Sequence, residues 1–89
     1  MEHSSCPVDV ISLCSADGKL RPLRLRLQEE DQSPVRVDID EIVGTNEVEY
    51  VGMEATVFLC RGTIGGRKCF FELKYAMRSH TWYLLRRIC

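Results

Sequence analysis

No run of apolar residues in this 89-residue sequence approaches the roughly 18 that a membrane-crossing helix needs. The opening Met1-Glu2-His3-Ser4-Ser5-Cys6-Pro7 has no basic region followed by an apolar stretch, so no secretory leader is expected. Glycine-rich phosphate loops are missing as well. Gly62-Thr63-Ile64-Gly65-Gly66 lacks the spacing and the strand-to-helix setting of a dinucleotide or P-loop site, and reads as a hairpin turn. There is no Gly-x-Ser-x-Gly elbow and no His-Glu-x-x-His pair. A chain this short also has no room for a separate core and a cofactor-sized cavity. A large cofactor enzyme with a buried site is therefore not expected, nor a cofactor or small-molecule substrate.

Cysteine is present but not in metal-binding or redox spacing. Cys6, Cys14, Cys60, Cys69 and Cys89 are separated by 7, 45, 8 and 19 residues, never by the two of a zinc knuckle or a thioredoxin-like pair. With only His3 and His80 as further soft ligands, no metal site is expected. An odd count without a targeting signal points to reduced thiols and a cytoplasmic setting. Cys14, Cys60 and Cys69 then read as small core residues on strands, and Cys6 and Cys89 as exposed residues near the termini.

What the sequence does have is alternation. Pro22-Leu23-Arg24-Leu25-Arg26-Leu27-Gln28 and Val35-Arg36-Val37-Asp38-Ile39-Asp40 switch between apolar and polar at every step, the pattern of half-buried strands. The polar stretch Glu29 to Pro34 between them reads as a hairpin loop. Upstream, a β-branched run predicts a strand over about 8–15, turning at Asp17-Gly18. Downstream, Glu54 to Ile64 reads as a strand, Gly65-Gly66 as a primed turn, Arg67 to Met77 as its partner, and Thr81 to Ile88 as a final strand. A two-residue turn at Gly65-Gly66 pairs Phe58 with Leu73, Cys60 with Phe71 and Thr56 with Tyr75. A four-residue loop at 77–80 pairs Tyr75 with Trp82 and Leu73 with Leu84. The apolar members then share one face, with Phe58, Leu73 and Leu84 in a row, and a one-residue slip would destroy the match.

Glu41 to Met53 breaks the pattern at Gly44-Thr45-Asn46 and reads either as a turn into a short strand or as one helical turn. Five or six short antiparallel strands must hide their edges. The expected fold is therefore an all-β meander curled into a small SH3-like or split β-barrel. It forms one domain over residues 1–89, with 1–6 a flexible tail.

Three segments resemble parts of a family of small bacterial proteins with no assigned function. Gly18-Lys19-Leu20-Arg21-Pro22-Leu23-Arg24 is similar to their opening Gly-Lys-Ile-Arg-Pro-x-Arg strand. Val37-Asp38-Ile39-Asp40-Glu41-Ile42 is similar to the second arm of a hairpin. Phe71-Glu72-Leu73-Lys74-Tyr75 with Trp82-Tyr83-Leu84 is similar to their closing hairpin. The resemblance implies a compact intracellular β-domain of a Firmicutes-like, Gram-positive bacterium. It carries over no catalytic or binding residue.

The net charge of −1 hides a division. Residues 1–54 carry twelve acids and five bases, a net of −7, whereas residues 55–89 carry seven bases and one acid, a net of +6. In a small barrel the two halves pair with each other, so cross-strand ion pairs are the first expectation. A sharper alternative places Arg24, Arg26, Phe70, Tyr83, Arg86 and Arg87 on an outer face that stacks bases and neutralises phosphates of a single-stranded nucleic acid. The pI near 6.1 weighs against it. Catalysis has weaker grounds. A cysteine with His80 is the one conceivable nucleophilic pair, and nothing in the sequence places an orienting carboxylate beside it. Asp38 and Asp40 share a strand face, as acid–base chemistry needs, but two carboxylates on a wet face are ordinary. Trp82 reads as a core anchor. The first expectation is a non-enzymatic cytoplasmic module that binds a protein partner or self-associates. The runner-up is the nucleic-acid binder, and a distant third is a thiol-based enzyme or redox sensor. A membrane partner is not expected.

Overall fold

In the structure, a computed structural model describing residues 6–28 and 33–88 (Tyr50 by its backbone alone), Gly65 and Gly66 have φ of 57° and 80°. These are the left-handed values of a primed hairpin turn. The turn joins Met53–Ile64 to Arg67–Ala76, and Phe58 pairs with Leu73, Cys60 with Phe71 and Thr56 with Tyr75. After the turn at 77–80, Tyr75 meets Trp82 and Leu73 meets Leu84. Both registers are those the alternation predicts.

Six strands follow in chain order: β1 (Cys6–Cys14), β2 (Leu20–Leu27), β3 (Val35–Tyr50), β4 (Met53–Ile64), β5 (Arg67–Ala76) and β6 (Thr81–Ile88). Each pairs antiparallel with its sequence neighbours, and β1 closes on β6 through Cys6–Leu84, Pro7–Tyr83 and Val8–Trp82. The all-β meander curled into a barrel is therefore the observed fold. Cys6 belongs to β1, because its ladder with β6 holds it, so the tail expected over 1–6 does not include it; residues 1–5 lie outside the described residues, as do Glu29 to Gln32 of the expected hairpin loop and Cys89.

A ring of six strands is too narrow to stay hollow, and side chains fill it. Leu25, Leu27, Val37, Phe58, Cys60, Phe71, Leu73 and Trp82 form the core. Trp82 packs at 5.6 Å from the Phe58 ring and 4.9 Å from the Tyr75 ring, both tilted, which is favourable aromatic geometry. Gly62 makes room for this filling. A Cβ there would lie 2.4 Å from the Asp38 carbonyl oxygen and 2.9 Å from the Phe71 ring.

The stretch Glu41 to Met53 is neither a turn into a short strand nor one helical turn; it is a long strand with its turn only at Val51 and Gly52. It continues β3 through Tyr50 as one arm of a long hairpin with β4. Register shifts between Ile39 and Glu41 and between Ile42 and Gly44 mark two bulges. Each inserts an unpaired residue and flips the alternation, which is why the pattern reads as broken.

The cysteines also depart from expectation. Cys6, Cys14 and Cys60 are free, but Cys69 is disulfide-bonded, so the reduced-thiol reading does not extend to it. Disulfides persist in oxidising settings and are rare in cytosol. Cys60 and Cys69 are buried on strands as expected, whereas Cys14 is exposed, because it ends β1 beyond the closed part of the ring.

Candidate functional site

Strand order decides whether the six predicted contact residues can act together. Arg24 and Arg26 face outward from β2, since Leu25 and Leu27 face the core. Phe70 on β5, with Tyr83 and Arg86 on β6, faces outward too, opposite Phe71, Trp82 and Leu84. In a closed ring of six, β2 and β5 lie on opposite walls. The structure brings Phe70, Tyr83 and Arg86 to one wall and Arg24 and Arg26 to the other. Arg87 pairs in register with Phe71 and alternates with Arg86.

Charge pairing is extensive on both walls. Arg24 donates to Asp38 at 3.1 Å and Arg36 to the same oxygen at 3.0 Å. Arg26 donates to Asp9 at 2.7 Å, Lys68 to Asp40 at 3.0 Å and Arg86 to Glu72 at 3.0 Å. Arg61 pairs with Glu41. Lys74 is committed differently, 5.3 Å from the Tyr83 ring centroid. The Arg36 hydrogen bond, helped by Arg24, holds the Asp38 carboxyl below the usual carboxylate range. Lys68, together with the Thr63 hydroxyl, does the same for Asp40. Among the described residues, the Arg61–Glu41 and Lys68–Asp40 pairs join the basic segment of the sequence to the acidic one, and the other four ion pairs each lie within one half of the sequence.

Among the described residues nothing nucleophilic is assembled. Burial pushes the Cys60 thiol up to about 12, which keeps it protonated and inert. His80, exposed in the turn at 77–80, shares a 2.8 Å hydrogen bond between its Nδ1 and the Tyr75 hydroxyl. Asp38 and Asp40 are engaged with cations as above. Among the described residues no three His, Cys, Asp or Glu side chains cluster to hold a metal ion, and no helix is long and apolar enough to cross a membrane.

Most of the charged groups without a partner of opposite charge among the described residues gather at one end, with Arg67 at the other. With β1, β3 and β5 running one way, the connections at 15–19, 51–52 and 77–80 share that end. Here the wall opens. β2 and β3 pair only from Leu27–Val35 to Arg24–Asp38. Beyond that point Pro22 has no N–H to continue the ladder, and the β3 bulges turn its edge away. The two hairpins part, leaving a cleft of about 350 Å³ with Leu13, Leu20, Ile42 and Phe58 in its lining and Lys19 and Arg21 as its cations. Neither cation has a carboxylate partner among the described residues.

At the same end stands the tip of the β3–β4 hairpin, beyond the last β4–β5 pair, Ala55–Ala76. Val51 and Gly52 form its turn at φ of 52° and 74°. Val51 is 82% exposed and Met53 61%. On the other face of the tip Glu49 is paired in register with Glu54, and Glu47 precedes them. None of the three has a cation partner among the described residues. Sequence reasoning missed this tip. The signal lies in Glu47-Val48-Glu49-Tyr50, which alternates faultlessly up to a Val-Gly turn pair.

Compared with protein-family models, curated proteins and solved structures, the chain matches none.

Proposed function

We propose that this barrel is a non-enzymatic protein-binding module and that its contact surface is the open end, hairpin tip and cleft together. The observation that carries the reading is Val51. A β-branched residue in the left-handed region costs on the order of 1–2 kcal/mol, and Asn or Gly would relieve it. Here the strained residue is also the most exposed large apolar side chain among the described residues. Strain kept at an exposed apolar position points to a contact made there. Met53 beside it and an apolar cleft at the same end add to this surface.

The nucleic-acid reading has less support. Arg24, Arg26 and Arg86 are each bonded to a carboxylate, and a phosphate would have to displace it. Phe70 remains an exposed aromatic, but it shares its wall with Glu72.

A photo-crosslinking amino acid tests the proposal. It is placed at Met53 in the tip and, as a control, at Arg67 beside the turn of the opposite end, and the protein is irradiated in the cells that make it. Protein adducts from position 53 and none from 67 are expected. Equal yields from both positions, or adducts to nucleic acid alone, overturn the reading.

A further inference from the structure

The tip and the cleft have opposite chemistry, and they sit at the same end of one chain. The tip offers Val51 and Met53 and, on its other face, Glu49 and Glu54, two like charges directly opposed across the strands. Such a pair is destabilising where it stands, and a cation brought against it removes the penalty. The cleft offers Leu13 and Leu20 beside Lys19 and Arg21, and no acid is among the described residues that line it. Each surface supplies what the other lacks.

Within one chain the two cannot meet. Thr45 and Phe58 line the cleft, and the hairpin runs on from them as a paired ladder to Tyr50 and Met53. At about 3.3 Å per residue, the six residues from Thr45 to Val51 carry the tip roughly 20 Å from the cleft. An intact two-stranded ladder does not fold back over that distance.

We infer that the occupant of the open end is a second copy of this chain, the hairpin tip of each copy seated in the cleft of the other. The inference rests on the protein-binding reading above and names its partner. Because both surfaces lie at one end, two copies facing each other about a two-fold axis satisfy both contacts at once. The contact is isologous and closed, so assembly stops at a dimer and does not run on into a filament. The tip enters the cleft edge-on, so that Val51 and Met53 leave water against Leu13 and Leu20 while Glu49 and Glu54, on its other face, meet Lys19 and Arg21 of the opposite copy.

Charge reversal tests this without disturbing the core, since all four charged residues are exposed. One variant carries Glu49→Lys with Glu54→Lys, and the other carries Lys19→Glu with Arg21→Glu. Sedimentation equilibrium from about 1 to about 500 µM reads the dimer dissociation constant. Each variant alone is expected to dimerise at least about tenfold more weakly than the parent, because like charges then face each other. Mixed in equal amounts, the two form a heterodimer in which both contacts again join opposite charges, and the parental dissociation constant returns to within about threefold. A variant that merely failed to fold would not be rescued by mixing. A contact closed within one chain would be rescued only by joining all four substitutions in one chain. A parent that stays monomeric throughout the range overturns the inference, and so does a pair of variants that mixing leaves apart. The crosslinking experiment separates the two levels: adducts from Met53 to a different protein, with a monomeric parent, overturn the second copy and leave the binding reading standing.

Discussion

The two ends of this barrel are built on different terms. Around its closed body, most of the charge is used up. Asp38, Asp40, Glu41, Glu72 and Asp9 each hold a cation from another strand, and the Gly65-Gly66 turn closes the β4–β5 pair with residues suited to it. At the open end the wall parts between β2 and β3, and three cations (Lys19, Arg21 and Arg78) and four acids (Asp17, Glu47, Glu49 and Glu54) lack a partner of opposite charge among the described residues. A valine there occupies a turn position that suits asparagine. The body is satisfied within one chain, and in the proposed dimer the open end is completed by another. Specific changes at each end should separate these two conditions.

The largest effect is expected in the body. Gly62→Ala puts a methyl group against the Asp38 carbonyl and the Phe71 ring, one of them backbone that cannot step aside. Overpacking of this kind costs about 3 kcal/mol. For a domain of this size that lowers Tm by about 10 °C or more, measured by circular dichroism. A Tm within a degree of the parent would mean that β3 and β4 do not approach as closely as described. Dimerisation of the folded fraction should not change, since neither tip nor cleft is touched.

At the open end the signs separate. Val51→Asn creates Asn-Gly, the preferred pair for this turn, and is expected to raise stability by about 1 kcal/mol in a urea titration. The same change removes the apolar side chain from the tip and should weaken association at least about tenfold, as a contact near the centre of an interface does. Greater stability with weaker association is the mark of a residue kept for contact at the expense of the fold. A destabilised Val51→Asn with unchanged association would erase the difference between the ends.

The body is more legible in the sequence than the open end, for a physical reason. Hairpin registers follow from turn type and alternation, so the pattern of residues alone puts Phe58, Leu73 and Leu84 in one row. Likewise, it puts Phe70, Tyr83 and Arg86 on an outer face. Alternation fails at bulges, because one extra residue flips every later side chain. Two bulges in β3 hide the hairpin that carries Val51 and Met53. Pairing between charges needs strand order as well. The sequence shows an acidic segment and a basic one, but that Arg24 lies beside Asp38, and on the wall opposite Phe70, follows only from closure of the ring. The Cys69 disulfide is not legible either, since its bonding depends on distance in the fold and no motif announces it.

Smaller effects belong to the ion pairs of the body, which are many but exposed. Removing Arg86 and Glu72 singly and together, as Arg86→Gln and Glu72→Gln, should give a coupling below about 1 kcal/mol in a double-mutant cycle. A coupling several times larger would mean that these pairs hold the barrel shut, and that the body owes its stability to charge as much as to Phe71 and Leu73.

The smallest effect expected is in acid. Asp38 and Asp40 have carboxyls held below the usual range in the folded chain, so folding favours their charged forms. Their contribution is complete above the carboxylate range of the unfolded chain. It is lost as pH falls from about 4 through the lower folded values, where protonation releases Arg36, Arg24 and Lys68. Both carboxylates are exposed, so salt should screen the effect. A series of urea titrations from neutral pH to about pH 3 should therefore show the parent losing slightly more stability than Asp38→Asn over the acid limb, with the gap narrowing in high salt. Equal acid limbs would mean that the bonds from Arg24 and Arg36 do not persist in solution. Those arginines would then be open to an outside anion, and the body of the barrel would be no better satisfied than its open end.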